Sequence, residues 1–187
     1  LREPLEAGAI TLSRAAHKFT YPARFQLVAA MNPCPCGFFG DTEHSCRCTS
    51  DQIQRYRQRL SGPLLDRIDL HVSMHRLKAR LLLGTQAKGE SSAQVRARVL
   101  AARQRQMDRQ NCTNAILPES QLAKLWALQP EARQQLEEAA DALQLSGRSL
   151  HRSLRVAQTL ADMGGCTSIG VPQIAEALAF RENTHGP

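Results

Sequence analysis

Aromatic residues are scarce in this chain: 4% of 187 positions, with a single tryptophan. So thin a supply offers no platform of rings for stacking bases, the device single-strand binders use. A polyanion would be held mainly through its phosphates, without sequence preference. No apolar run reaches the roughly 18 residues of a membrane-crossing helix, so no membrane span is expected. The N-terminus, LREPLEAGAI, has no basic region leading into an apolar core, so it is not read as a signal peptide and a cytoplasmic setting is expected. It also lacks an initiator Met and reads as the tail of a helix, which points to a fragment of a longer protein. Finally, no G-x-x-x-x-G-K-[ST] occurs. That loop supplies the backbone N–H cradle, the phosphate-binding Lys and the Mg²⁺-binding hydroxyl of a nucleotide site. Without it this chain alone is not expected to hold or hydrolyse ATP.

What is present is a globular composition, 42% hydrophobic, with a net charge of +7. The charge is concentrated. Residues 76–110 hold nine basic and two acidic side chains, while 111–187 are slightly acidic. Such a stripe, including Arg96, Arg98, Arg103 and Arg105, suits a nucleic acid, or else is a solvated helix face.

The chain changes texture near residue 76, which divides it into a mixed α/β part (1–75) and an all-helical part (76–187). In the first, a helix end closed by Gly8 precedes AITLSRAAHKFTYP, whose alternation predicts a β-hairpin with Arg14, His17 and Lys18 near its turn. RFQLVAAM, residues 24–31, is the pattern of a strand buried on both faces, as at the centre of a parallel sheet. DQIQRYRQRL predicts a helix over 51–60, capped by Ser50 or Asp51, and Asp69 to Met74 a short strand. The second part predicts helices over 92–110, 118–128, 130–144 and 148–163, then a last one opened by Pro172. The helix over 148–163 carries Leu150, Leu154, Ala157 and Ala161 on one stripe, and the last helix turns Ile174, Ala177 and Leu178 inward.

Four of six cysteines fall within 15 residues, as Cys34-x-Cys36 and Cys46-x-Cys48. Four thiolates can hold Zn²⁺ tetrahedrally and so stiffen a loop with little core of its own. The spacing departs from the usual C-x₂₋₄-C, and Pro35 removes a backbone N–H donor. His44 is a spare ligand; the other reading is four small apolar fillers in a reducing compartment. Cys112 and Cys166 are read as buried or incidental, and His151 as structural. Asn32 ends the apolar run, where an α/β fold places a ligand-facing group; alternatively Asn32-Pro33 only starts a turn. Arg67 sits after a helix break, able either to reach a phosphoryl group or to pair with Asp66 or Asp69. Arg148 and Arg155 lie two turns apart on one helix face, with Arg148 in the positive first turn, which suggests an anionic partner; the alternative, and the commoner case, is a plain surface arginine.

Taken together, LREPLEAGAITLSRA, YPARFQLVAAMNPCPCG, RYRQRLSGPLLDRIDLHV and SLRVAQTLADM resemble the C-terminal half of the Mg-chelatase-like AAA+ ATPase family of the ComM/YifB type, across nearly the whole chain. The resemblance implies the second half of a P-loop ATPase core, a parallel sheet with helices, followed by a helical lid domain. It implies that Asn32 is the sensor-1 residue that positions the attacking water, that Arg67 is the arginine finger acting on ATP in the next subunit, and that Arg148 is the sensor-2 residue. Arg155 is the second candidate for that last role. It implies that the hairpin at Arg14, His17 and Lys18 points toward DNA. It further implies ATP and Mg²⁺ as cofactors, a homo-oligomeric ring, expected to be a hexamer, and DNA as a non-sequence-specific partner. Walker A and Walker B would lie upstream, since no acidic strand precedes LREPLE. Three functions follow: a DNA-dependent motor remodelling branched DNA in transformation or recombination; a motor subunit for metal insertion into a porphyrin; or a non-enzymatic, zinc-stabilised interaction module. The CPCG loop and the concentrated positive charge favour the first over the second.

Overall fold

Helix α1 (Arg2–Ala7) ends at Gly8, whose φ of 63° turns the chain, with its N–H bonded to the Pro4 carbonyl at 3.0 Å. Two strands follow, β1 (Ala9–Arg14) and β2 (His17–Pro22), paired antiparallel with Ala9 opposite Pro22 and Arg14 opposite His17. The Ala23 N–H to Gly8 carbonyl bond, 2.8 Å, closes the base of this ribbon. The computed structural model describes residues 2–14, 17–60, 62–74, 77 and 89–182. Residues 1–68 and 74–76 form one compact unit; residues 69–73 and 77–187 form a second.

In the first unit the cysteine loop leads into α2 (Ser50–Arg57), and α3 (Gly62–Leu65) follows. The cap of α2 is Thr49, one residue before the expected Ser50 or Asp51. Its hydroxyl accepts from the Gln52 N–H while the Gln52 side chain accepts from the Thr49 N–H, which satisfies two otherwise orphaned donors.

The expectation of a strand buried on both faces at 24–31 is corrected. The segment carries no strand pairing, and Phe25, Val28 and Met31 are 47%, 84% and 51% exposed. Residues 69–74 likewise form no strand, with Leu70, Val72 and Met74 exposed. The reason is physical. A strand exists only through its neighbours, and among the described residues the two-stranded sheet pairs β1 with β2 alone. No parallel sheet is formed among them.

The second unit is helical. Its elements are α4 (Ser92–Gln110), a 3₁₀ turn (Asn114–Ile116), α5 (Glu119–Leu125), α6 (Pro130–Ala142), α7 (Gly147–Gly164) and α8 (Val171–Glu182). A capping box of Ser91 with Gln94 opens α4, and Asn111 closes it in the left-handed region at φ 55°. The Ser146 hydroxyl caps α7, and Gly165, at φ 71°, ends it. The core gathers Leu117, Leu122, Trp126, Ala132, Leu136, Ala157, Ala161, Ile169, Ile174, Ala177 and Leu178. The predicted stripe of α7 is there: Ala157 and Ala161 are fully buried, and Leu150 and Leu154 pack against the core half-buried. A single parallel bridge of Leu128 with Ile169 fastens the loop after α5 to the loop after α7. Among the described residues, no helix is long and apolar enough to cross a membrane.

Candidate functional site

The four cysteines of the loop converge. Their sulfurs all lie within 4.8 Å of one another: Cys34 to Cys36 is 3.4 Å, Cys34 to Cys46 3.7 Å and Cys36 to Cys46 3.6 Å. A zinc tetrahedron with Zn–S of about 2.3 Å needs S···S separations of about 3.8 Å, so the donor set fits. Gly37, at φ 82°, makes the tight turn, with its N–H on the Cys34 carbonyl at 3.0 Å. Asp41 Oδ1 accepts from the Glu43 and His44 N–H groups, at 2.7 and 2.9 Å. The His44 ring stacks on Phe38 with centroids 5.1 Å apart, and the Arg57 guanidinium lies 5.0 Å over Phe39. His44 is therefore part of the wall and outside the four-sulfur group; its reading as a spare ligand is set aside.

The crowded thiols do not titrate alike. N–H groups of Arg47 and Phe38 hold the Cys36 thiol down to about 6, against the opposing effect of burial. Burial pushes the Cys48 thiol up to about 12. A divalent ion would accept all four as thiolates.

Asn32 is exposed, two residues before Cys34, and its amide lies within 4 Å of where a Cβ on Gly37 would stand. Arg67 lies just after α3. Its Nε and one terminal nitrogen donate to Glu6 Oε2, at 3.1 and 2.6 Å, and another nitrogen donates to the Pro63 carbonyl. Its side chain is only 12% exposed. Glu6, at the end of α1, is a partner 61 residues away that no local pattern reveals.

The two candidate arginines of α7 differ. Arg148, in the first turn, is exposed. Arg155 is half-buried, donates to the Leu117 carbonyl at 2.7 Å, and keeps a buried Nε with no partner among the described residues. Burial lowers its pKa, helped by Arg152 and opposed by Glu119 and Asp69. Arg155 thus braces the helix from the Leu117 carbonyl, whereas Arg148 lies in its exposed first turn. Sequence reasoning missed Arg152, which bonds Asp69 at 2.5 Å, and the pairing of His151 with Glu119 at 3.1 Å.

Helix α4 sorts its arginines by face. Arg98 is paired with Glu90 through two bonds of 2.6 and 3.0 Å. Arg105 donates to the Asp162 carbonyl at 2.7 Å. Arg109, which the sequence reading did not single out, grips the Asp162 carboxylate with two bonds of 2.5 and 3.0 Å. Arg96 and Arg103, seven residues apart, are exposed and bond no described residue. Residues 76 and 78–88, the start of the basic segment, lie outside the described residues. At the tip of the ribbon, Arg14, His17 and Lys18 are all exposed. Cys112 is half-buried beside the core and Cys166 is exposed.

Comparison with known proteins covers both units. The family model described as magnesium chelatase, subunit ChlI, matches residues 1–82, and that described as magnesium chelatase, subunit ChlI C-terminal, matches 89–181. The chain is 46% identical over 181 residues to the competence protein ComM of Haemophilus influenzae, covering 97% of this chain and 35% of that protein. It is equally similar, 46% over 181 residues, to the uncharacterized protein YifB of Escherichia coli, and 45% identical over 186 residues to the uncharacterized protein Rv2897c of Mycobacterium tuberculosis. It spans about a third of the length of these curated relatives.

Proposed function

The chain belongs to the magnesium chelatase subunit ChlI family, in its ComM/YifB branch, and from that premise we propose that it is part of a ring-forming AAA+ ATPase that moves on DNA. The observation that carries the reading is the 46% identity, along 97% of the chain, to a protein named for competence. In this reading bound MgATP supplies the γ-phosphoryl group, and the P-loop that holds it comes from a segment N-terminal to this chain.

Each residue here then has one task. The Asn32 amide orients the attacking water. Arg67 leaves Glu6 and places its guanidinium on the phosphoryl group in the neighbouring subunit, where charge builds in the transition state. Arg148, exposed at the start of α7, contacts nucleotide from the helical lid. Cys34, Cys36, Cys46 and Cys48 hold a structural Zn²⁺ that fixes the loop adjoining Asn32. Arg96, Arg103 and the tip of the ribbon meet DNA phosphates, and the ring is a homo-oligomer, a hexamer in the simplest case.

Arg67→Ala in the full-length protein tests the finger. It should reduce ATP hydrolysis by about a thousandfold or more while leaving ATP binding unchanged. Turnover that survives the change removes Arg67 from the role. The family description itself favours a second reading, a motor subunit for metal insertion into a porphyrin. That reading predicts turnover indifferent to DNA.

A further inference from the structure

The Arg67 guanidinium is gripped by a carboxylate from a distant segment of its own unit. Glu6 Oε2 accepts from Arg67 Nε and from one terminal nitrogen, at 3.1 and 2.6 Å, and the Pro63 carbonyl accepts from the other terminal nitrogen. The Arg67 side chain is 12% exposed and that of Glu6 39%, so the pair is partly withdrawn from water. Bonds between ionised groups are stronger than neutral ones, and several of them fix the direction of the planar guanidinium.

The placement of Glu6 is unusual for its helix. It stands in the last turn of α1, where no basic side chain is present. The C-terminal end of a helix carries partial negative charge, so a carboxylate gains nothing from that position. Arg67 supplies the stabilisation that α1 does not. Two residues on, Gly8 turns the chain into β1, and its carbonyl accepts from the Ala23 N–H at 2.8 Å. Glu6 is thus fixed to the root of the ribbon, whereas Arg67 follows α3. The ion pair joins two segments 61 residues apart in the chain, and a shift of the ribbon root against α3 would break it.

The N–H groups that grip Glu6 cannot serve a phosphoryl group at the same time. A carboxylate and the phosphoryl oxygens compete for one cation, and the balance tips as charge builds on the phosphoryl group in the transition state. We propose that Glu6 is a positioning residue, a latch that holds Arg67 back from nucleotide until DNA-driven movement of the ribbon root frees it. The inference rests on the reading of Arg67 as the finger of a DNA motor. It goes beyond that reading by naming what restrains the finger when no DNA is bound.

Steady-state ATP turnover by the full-length protein, with and without single-stranded DNA, tests the latch in the parent, Glu6→Gln, Glu6→Asp and Arg67→Ala. Glu6→Gln keeps the shape and removes the charge. Without DNA it should raise kcat about fivefold, the scale of one partly exposed ion pair, with KM for ATP unchanged. Stimulation by DNA should shrink by the same factor. Glu6→Asp keeps the charge one methylene shorter and should raise kcat without DNA by about twofold. It also decides the matter if Glu6→Gln unfolds at a lower urea concentration than the parent. A purely structural pair would lower turnover with and without DNA alike. If neither Glu6 variant raises kcat without DNA while Arg67→Ala abolishes turnover, the latch is overturned and the finger stands. Turnover that survives Arg67→Ala overturns the finger, and the latch with it.

Discussion

Asp162 is 1% exposed, yet it is a carboxylate. Burial alone would raise its pKa, but the Arg109 fork, the Asn114 amide at 2.9 Å and the Gln158 amide at 3.1 Å hold it below the ordinary carboxylate value. A folded pKa below the unfolded one means stability that is present above the unfolded value, about 3.9, and is lost as pH falls through the folded value. Asp162→Asn should therefore destabilise the helical unit by about 3 kcal/mol at neutral pH, because it leaves Arg109 without its partner. Urea unfolding checks it, and the gap between variant and parent should narrow as pH falls below about 4. The same residues show what a sequence conceals. Arg109, Asn114, Gln106 and Gln110 look like polar surface of a basic helix and its end. In the fold, Gln106 accepts from the Asn114 N–H, and Gln110 accepts from the Trp126 indole. Arg67 with Glu6 is a second case, since partners 61 residues apart leave no local trace.

At the scale of elements, α4 has two faces that its net charge does not distinguish. Arg98 and Arg105 are held by Glu90 and by the Asp162 carbonyl, whereas Arg96 and Arg103 are open. If the open face lies on DNA, Arg96→Ala and Arg103→Ala should each lower the slope of log affinity against log salt by about one. Arg105→Ala should alter stability more than the slope. Helix starts are written in short patterns, such as Ser91 with Gln94 and Pro130 in the first turn of α6, though the expected cap at Ser50 or Asp51 falls one residue earlier, at Thr49. The cysteine loop was readable in composition but not in shape. C-x-C spacing is unfavourable for zinc in isolation, yet in the fold, with Gly37 turning the chain at φ 82°, all four sulfurs lie within 4.8 Å of one another. Protein purified without chelator should carry roughly one Zn²⁺ per chain, and Cys46→Ser should lose most of it. Metal analysis near zero for the parent contradicts the site.

For the whole molecule, the helical unit and its stripe on α7 were legible because a helix closes its own hydrogen bonds and needs only one apolar face covered. Residues 24–31 and 69–74 were not, because strands are completed by neighbours and pattern alone does not say whether those neighbours are at hand. Val28 and Met74, at 84% and 87% exposure, mark where the pattern and the fold part. Asn32 and Arg67 stand at or beside these segments, so their proposed work depends on the same completion. The proposed function makes the protein to which these residues belong a DNA-driven motor. Its most direct test is ATP turnover by the full-length protein with and without single-stranded or branched DNA. A DNA-driven motor should be stimulated about tenfold, and the stimulation should be steeply lost as salt rises. Robust turnover unmoved by any DNA would contradict it.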